Sequence, residues 1–415
     1  MIAARTRWFS TQNFRLNAPL VLPWLLPLLL LLSRTTADVS VLFIGLAFLV
    51  KSWRQQHWAW VQQPWFIASL LFWAYLLSIN TLTSIAPAET FMHALFFIRW
   101  PLFAAALAYW LLLSPQFKRH FIIVLLAVSV FIMADTWWQY LVGQDVFGHL
   151  KASATRLTGP FTKPIPGIML LRVIFITLFA GLLFKAFNQP ARLAVMVVTT
   201  LIIGLLTLFI TGERMALILM TCGAVVLMIG LWLQYGALKK ILSISFLLLV
   251  SLLLTATLLT PEMAHRSVLS IWQKLANFAS SDYGQVFSAA WSAWKAHFWL
   301  GSGFHTYTEV CNSMGELART GMQCSHPHNL YLHIGAETGL IGLLLFCSMV
   351  LSIYHAALAP LIKAKYWFIA ALCLVILSVS FWPLIGGISI LNNMVAALVW
   401  LGVGWVLAAP LMLKQ

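Results

Sequence analysis

The chain has 415 residues, 62% of them hydrophobic and only 8% charged, where an ordinary soluble domain carries about 25% charged residues. That composition excludes a water-soluble globular protein and makes lipid the main solvent. A formal net charge of +15 would point to nucleic acid in a soluble chain. Here most of it has a simpler explanation in membrane orientation, and no nucleic-acid partner is expected.

The N-terminus is basic, with Arg5, Arg7 and Arg15, and the apolar stretch after it has no small-residue cleavage site, so it is expected to remain as a first span. A spanning helix needs about 20 mostly apolar residues to cross ~30 Å of hydrocarbon. Runs of that kind predict twelve spans, at roughly 18–34, 37–52, 64–80, 91–113, 119–142, 166–187, 191–211, 214–233, 240–260, 329–357, 364–383 and 387–411. Arg34 and Asp38 leave only a tight turn between the first two. Alternate loops then carry Lys51 and Arg54, Lys118 and Arg119, Lys185 and Arg192, Lys239 and Lys240, and Lys363 and Lys365. With the three N-terminal arginines and Lys414, these make fourteen of the 25 basic residues. The positive-inside rule places all of them, and both termini, in the cytoplasm.

Two long segments fall on the opposite side, about 143–165 and 261–328. In the longer one, Phe287, Ala290, Trp291, Trp294 and Phe298 recur at helical spacing, which predicts an amphipathic helix over 283–300 lying near the interface. The chain therefore divides into spans one to nine (1–260, including the 143–165 loop), a large external loop (261–328) and spans ten to twelve (329–415). Cys222, Cys347 and Cys373 sit in spans as small apolar fillers. Cys311 and Cys324 share the large external loop, in a compartment where disulfides persist, and are expected to pair.

The other basic residues defy the orientation rule and need a different reason to exist. Arg99 and Arg172 lie inside the fourth and sixth spans, Arg214 where the seventh meets the eighth, and Arg156 and Lys163 in the 143–165 loop. An Arg within a span costs at least ~2.5–3.5 kcal/mol on insertion scales and faces the protein interior by default. Ion pairs between helices would need partners, and the chain has ten carboxylates in all. Asp135, Glu213 and Glu337 are the membrane-proximal ones, with Glu89 near the surface, and Glu213 beside Arg214 is the expected structural pair. The remaining cations suit an anion. The planar guanidinium fork binds phosphate oxygens bidentately, and an anion reaching a buried site from the bilayer is a lipid phosphate or diphosphate.

Before the tenth span comes Ser-His-Pro-His-Asn-Leu-Tyr-Leu-His-Ile-Gly-Ala-Glu-Thr-Gly-Leu-Ile-Gly, residues 325–342. His326, His328 and His333, spaced i, i+2, i+7 across a proline, match no common metal-ligand pattern. A histidine placed like His328 at the water–membrane junction also fits a simple helix cap. Glu337, Gly339 and Gly342 continue down a helix, where small residues admit a neighbouring helix.

These features resemble the O-antigen ligase and polymerase superfamily of the bacterial inner membrane. The ligase pattern of His, then Asn, Ser or Gln, nine residues, Gly, two residues, Gly reads here as His328, Asn329, Gly339 and Gly342. Phe298-Trp-Leu-Gly-Ser-Gly-Phe304 resembles the Pro-Leu-Leu-Gly-Val-Gly stretch upstream of that motif. Arg156-Leu-Thr-Gly-Pro-Phe resembles the family's Arg and Gly loop before the sixth span, and Arg214 its Arg at the start of a span. A family Arg would fall near Tyr283, where this chain has none, so Arg266 or Lys274 is expected to supply that charge. The residue after Gly342 is Leu343, where the pattern prefers Gly, Thr or Tyr.

The resemblance implies an all-α integral membrane protein of about twelve spans, similar to C-type glycosyltransferases, with a large periplasmic loop between helices nine and ten. It implies an inner-membrane enzyme with a periplasmic site, an undecaprenyl-diphosphate-linked O-antigen donor and a lipid A-core sugar hydroxyl as acceptor, with no cofactor. Arg156, Arg172, Arg214, Arg99 and Lys163 would hold the diphosphate. His328 would act as general base, kept neutral by nearby cations, with Arg266, Asn329, Glu337 and His326 in support. A single displacement of this kind inverts the anomeric centre and requires no metal. A polymerase or a protein O-oligosaccharyltransferase would share most of these features. A secondary transporter would instead need several membrane carboxylates and repeated halves, neither of which the sequence offers.

Overall fold

The computed structural model describes residues 25–32, 34–183, 186–315, 317, 324–384, 389 and 391–413. Among them the regular structure is helical, and the only β contacts are three isolated bridges. The helices are α1 (Leu26–Leu32), α2 (Arg34–Gln55), α3 (Pro64–Tyr75, prolonged by a π-turn Leu76–Asn80), α4 (Pro87–Phe97), α5 (Arg99–Tyr109), α6 (Pro115–Val142), α7 (Pro166–Thr177), α8 (Ala180–Leu183), α9 (Pro190–Thr211), α10 (Arg214–Gln234), α11 (Lys239–Leu259), α12 (Pro261–Ala264), α13 (Ser270–Ala276), α14 (Asp282–Ala296), α15 (Tyr307–Met314), α16 (Leu330–Lys363), α17 (Trp367–Phe381) and α18 (Asn393–Met412).

Eight helical stretches are long and apolar enough to cross a membrane, and three shorter apolar ones (Pro64–Asn80, Pro166–Thr177, Trp367–Phe381) lie where the sequence places further spans. The chain is an all-α integral membrane protein. Six helices begin at proline (α3, α4, α6, α7, α9 and α12), where the missing N–H costs nothing because that donor has no intrahelical partner anyway. Asp38, expected in the turn between the first two spans, is instead inside α2. Residues 1–24, with the three arginines read as orientation signals, and Lys185 lie outside the described residues.

α18 is the centre of the bundle. It is buried along almost its whole length and packs against α2, α5, α7, α16 and α17. α11 is the opposite case, with only Leu242 and Leu249 buried, so nearly all of its apolar surface faces outward. In water such a helix would be unstable, whereas lipid solvates it at no cost.

The stretch Phe298–Phe304 is threaded into a break in α16. Gly339 has φ 66° and ψ −173°, a conformation essentially restricted to glycine. The break frees backbone groups that the inserted stretch uses: Leu340 N donates to Phe298 O (2.8 Å), Ser302 N to Ala336 O (3.1 Å) and Gly303 N to Glu337 O (2.9 Å). Gly301, with φ 78°, packs face to face with it, and a Cβ there would lie 2.2 Å from Glu337 O. Asn80 completes the junction, its Nδ2 donating to Leu300 O and Glu337 O and its Oδ1 accepting from Phe304 N. The Gly339 and Gly342 spacing was expected to admit a neighbouring helix. Gly342 does lie against Tyr75 of α3, but Gly339 serves the break and the inserted chain.

α14 forms within the stretch expected to be amphipathic, but its buried stripe is Val286, Ala289, Ala290 and Ala293, turned from the one expected. Small side chains let it pack closely on α16, while Trp291 and, beyond the helix end, Trp299 are exposed.

Candidate functional site

The 143–165 loop is pinned from below by α6. Gln139 Nε2 donates to His149 O and to Thr158 Oγ1, and its Oε1 accepts from the backbone N–H of Thr158 and Gly159. Asp135, one of the carboxylates available as an ion-pair partner, accepts from Val146 N instead and so anchors the loop. Leu157 N donates to Thr211 O at the end of α9, which brings Arg156 over the α9–α10 corner.

There Arg156 joins Arg214 and Arg266 around one cavity of about 660 Å³, whose rim also includes Glu213, Lys274, Asp282, Tyr283, His326 and His328. Such a volume suits a small-molecule head group. Two arginines hold each other's segments through the backbone: Arg214 Nε donates to Arg266 O (2.8 Å) and Arg266 Nε to Gly212 O (3.1 Å). Both bonds use Nε rather than the terminal nitrogens. Burial, then the charges of Arg156 and Arg214, push the Arg266 guanidinium below its usual range, as expected of cations gathered without an anion. Arg266 lines the same cavity as Tyr283, near which the family pattern places an Arg. Lys274 is there too, hydrogen-bonded to Asp282 (2.5 Å) and 5.4 Å above the Tyr283 ring. Four cations face two carboxylates around the cavity, an excess of two positive charges when both acids are ionised.

Glu213 does not pair with Arg214, contrary to the sequence expectation. Its carboxylate accepts from the backbone N–H of Gly167 (2.6 Å) and Ile168 (3.1 Å) and so satisfies the first free donors of α7. Burial raises its carboxyl to about 7, against the opposing pull of these hydrogen bonds and of Arg156 and Arg172. Arg172 is behind the cavity wall, buried, with Nη1 on Ile168 O and Nε without a partner. It reaches the site through its field rather than by contact.

The histidine segment enters from the other side. Cys311 on α15 and Cys324 are disulfide-bonded with Cα atoms 5.7 Å apart, which ties the start of Ser325–Asn329 to α15. Asn329 is the N-cap of α16, its side chain accepting from Tyr331 N and Leu332 N. The cap of this helix is therefore Asn329, and His328 is not needed for it. His328 has φ 51°, uncommon for a residue with a Cβ, and its ring meets those of Tyr283 (5.8 Å) and His326 (4.2 Å) edge to face. Burial, then His328 and His333, push the His326 imidazole down to about 3, so it is neutral at physiological pH. His326 Nε2 and Arg156 Nε are both buried without a hydrogen-bond partner.

Three expected site residues lie elsewhere. Arg99 bonds Asp38 Oδ1 (3.3 Å), Asn393 Oδ1 (3.1 Å) and Phe96 O, and belongs to a separate small cavity. Lys163 is exposed and absent from the cavity wall. Glu337 bonds His333 (3.2 Å) and Tyr307 N (3.2 Å) at the α16 break, so it supports the fold and His333 rather than His328 directly. His333 Nδ1 contacts Ser389 (3.3 Å), and both line a cavity of about 10 Å³ shared with His326 and His328.

Residues 198–347 match the family model described as O-antigen ligase. The matched segment contains Arg214, Arg266, His326 and His328. No curated protein matches the chain.

Proposed function

Because the chain belongs to the O-antigen ligase family through residues 198–347, we propose that it transfers a polysaccharide from undecaprenyl diphosphate to a sugar hydroxyl of lipid A-core. The observation that carries this reading is the cavity in which Arg156, Arg214 and Arg266 face His326 and His328. A diphosphate diester bears two negative charges, which the positive excess of the cavity can balance. As the glycosidic bond breaks, the leaving diphosphate gains a third, and fixed guanidinium groups favour that state over the ground state. The acceptor oxygen attacks the anomeric carbon, the bond from that carbon to the phosphate oxygen breaks, and the hydroxyl proton passes to His328. Inversion follows from a single displacement. Neutral His326 is placed to hydrogen-bond the reacting groups, and Arg172 adds positive potential from behind. The reaction sits on the periplasmic face of the bacterial inner membrane, with both chain termini in the cytoplasm.

Gene deletion with inspection of the lipopolysaccharide tests the reaction. Ligation predicts lipid A-core without polymer and accumulation of carrier-linked polymer. Core bearing a single repeat would assign the chain to polymerisation instead. His328→Ala protein that is inserted in the membrane and still ligates at the native rate would remove His328 from the mechanism.

A further inference from the structure

A second group of chemistry-bearing side chains lies apart from the arginine cavity. Glu89 and His93 are one turn apart on α4, and His305 comes from the turn that precedes α15. Glu89 Oε1 is 3.9 Å from His93 Nε2 and 4.0 Å from His305 Nδ1, and the two imidazoles stack at 3.7 Å with 11° between their planes. One ligand atom from each of the three residues can be chosen so that all lie within 4.8 Å of one another.

The two segments are held rigidly together from beneath. Ile85 N donates to Ser302 O (2.9 Å), Thr90 Oγ1 to Phe304 O (3.1 Å) and Phe304 N to Asn80 Oδ1 (2.9 Å). His305 itself has φ 76°, a left-handed conformation that few residues with a Cβ adopt, and it is this turn that brings its ring over His93. A strained backbone that aims one imidazole at another, beside a shared carboxylate, is a reason to look for a ligand.

We propose that Glu89, His93 and His305 form a divalent transition-metal site of the zinc type, which clamps α4 to the inserted 298–305 stretch. Two imidazoles and one carboxylate with an open fourth position are a common zinc donor set, and they suit zinc or cobalt better than magnesium or calcium. Ligands at about 2.0–2.2 Å around a tetrahedral ion lie about 3.3 Å apart. The present spacing is wider by roughly 1 Å, and the stacked rings need to turn out of register so that both lone pairs meet the ion. Glu89 and His305 are exposed and His93 half-buried, so rotation about their side-chain bonds is free to do this. The site is distinct from the reacting groups, so the clamp stabilises the junction and takes no part in sugar transfer.

The test uses the full-length protein in detergent, stripped with a chelator and titrated with Zn²⁺ and separately with Co²⁺ at pH 7.5. One ion per chain with a Kd of about 1–10 μM, a rise in Tm on adding Zn²⁺ and a tetrahedral Co²⁺ spectrum are expected. Glu89→Gln and His305→Ala should each weaken binding at least about tenfold and abolish the Tm rise, while His326→Ala/His328→Ala retains both. The cobalt spectrum is read on unsubstituted protein, so it stands even where a variant folds poorly. Absence of binding below about 1 mM, full binding in the Glu89→Gln/His305→Ala double variant, or loss confined to the His326/His328 variant would overturn the site. The proposal is independent of the transfer reaction, because every readout is metal binding or stability.

Discussion

Arg99 and Arg214 raise the same question in the sequence: each is a guanidinium within or at the edge of a predicted span, on the side where orientation does not ask for it. The structure gives them opposite surroundings. Arg99 meets Asp38 and Asn393, lies 4.5 Å over the Trp100 ring and holds α2, α5 and α18 together. Around Arg214 the cations outnumber the carboxylates, and the acid next to it in the chain, Glu213, is occupied with the N-terminus of α7. Depth in the membrane therefore says little about an arginine's task. The position of the counter-charge separates an arginine that ties helices together from one proposed to bind an anion.

The largest expected effect lies in the unpaired set. Arg214→Ala and Arg156→Ala should each lower ligation by about 10²–10³-fold, the scale of removing one donor from a developing oxyanion, with normal membrane insertion. Arg99→Ala should leave turnover within a few-fold and lower the Tm in detergent. Equal losses of turnover at Arg99 and Arg214, measured with purified donor and acceptor, would erase the distinction. Arg214→Lys sharpens it: recovery would show that charge suffices, and continued loss that the guanidinium fork is needed.

A smaller effect tests the paired arginine. Asp38→Asn removes the charge opposite Arg99 but leaves a polar group, and about a third of the Asp38 side chain is exposed. The expected cost is about 1–2 kcal/mol of stability, below that of a fully buried pair because solvent screens it. Thermal unfolding in detergent reads this directly, and an unchanged Tm would mean that Asn393 and the Trp100 ring suffice to hold Arg99.

Much of this was legible in the sequence. Spans show as long apolar runs because lipid tolerates little else, and the Arg156, Arg214 and His328 motifs fall on one cavity although they are distant in the chain. Arg266 was named as a substitute for a missing charge, and it occupies the cavity wall. What failed was partner assignment. Adjacency made Glu213 look like the mate of Arg214, but successive residues at a helix start point different ways, and Glu213 instead satisfies backbone donors of α7. Asp38, the true partner of Arg99, was hidden by the expectation of a turn where α2 is already helical. Glycine spacing suggested helix contact at Gly339, whereas positive φ and chain insertion are properties that a spacing pattern does not carry. The Glu89, His93 and His305 group joins positions over 200 residues apart, and only Glu89 and His93, one turn apart, left any trace in the sequence.

The smallest effect concerns Glu213, the acid inside the cationic region. Its carboxyl is raised from an ordinary value of 4.5 to about 7 chiefly by burial. The sign follows: unfolded Glu213 loses its proton near 4.5 while the folded group still holds it, so its contribution to stability is complete below 4.5 and is lost as pH rises to about 7. The same proton governs the anion. Below pH 7 Glu213 is neutral and Arg156 is free to face a diphosphate; above it, the carboxylate both attracts Arg156 and repels the donor. Donor affinity should therefore fall by several-fold, at most about tenfold, between pH 6 and 8. The diphosphate diester keeps two charges across that range and His326 is already neutral, so neither masks the change. Glu213→Gln should flatten the profile at the low-pH affinity. The Gln variant assigns the change to Glu213, because any contribution from His328 in the same cavity persists in it. An affinity that rises with pH, or a native-like slope in the Gln variant, would show that Glu213 serves only to cap α7.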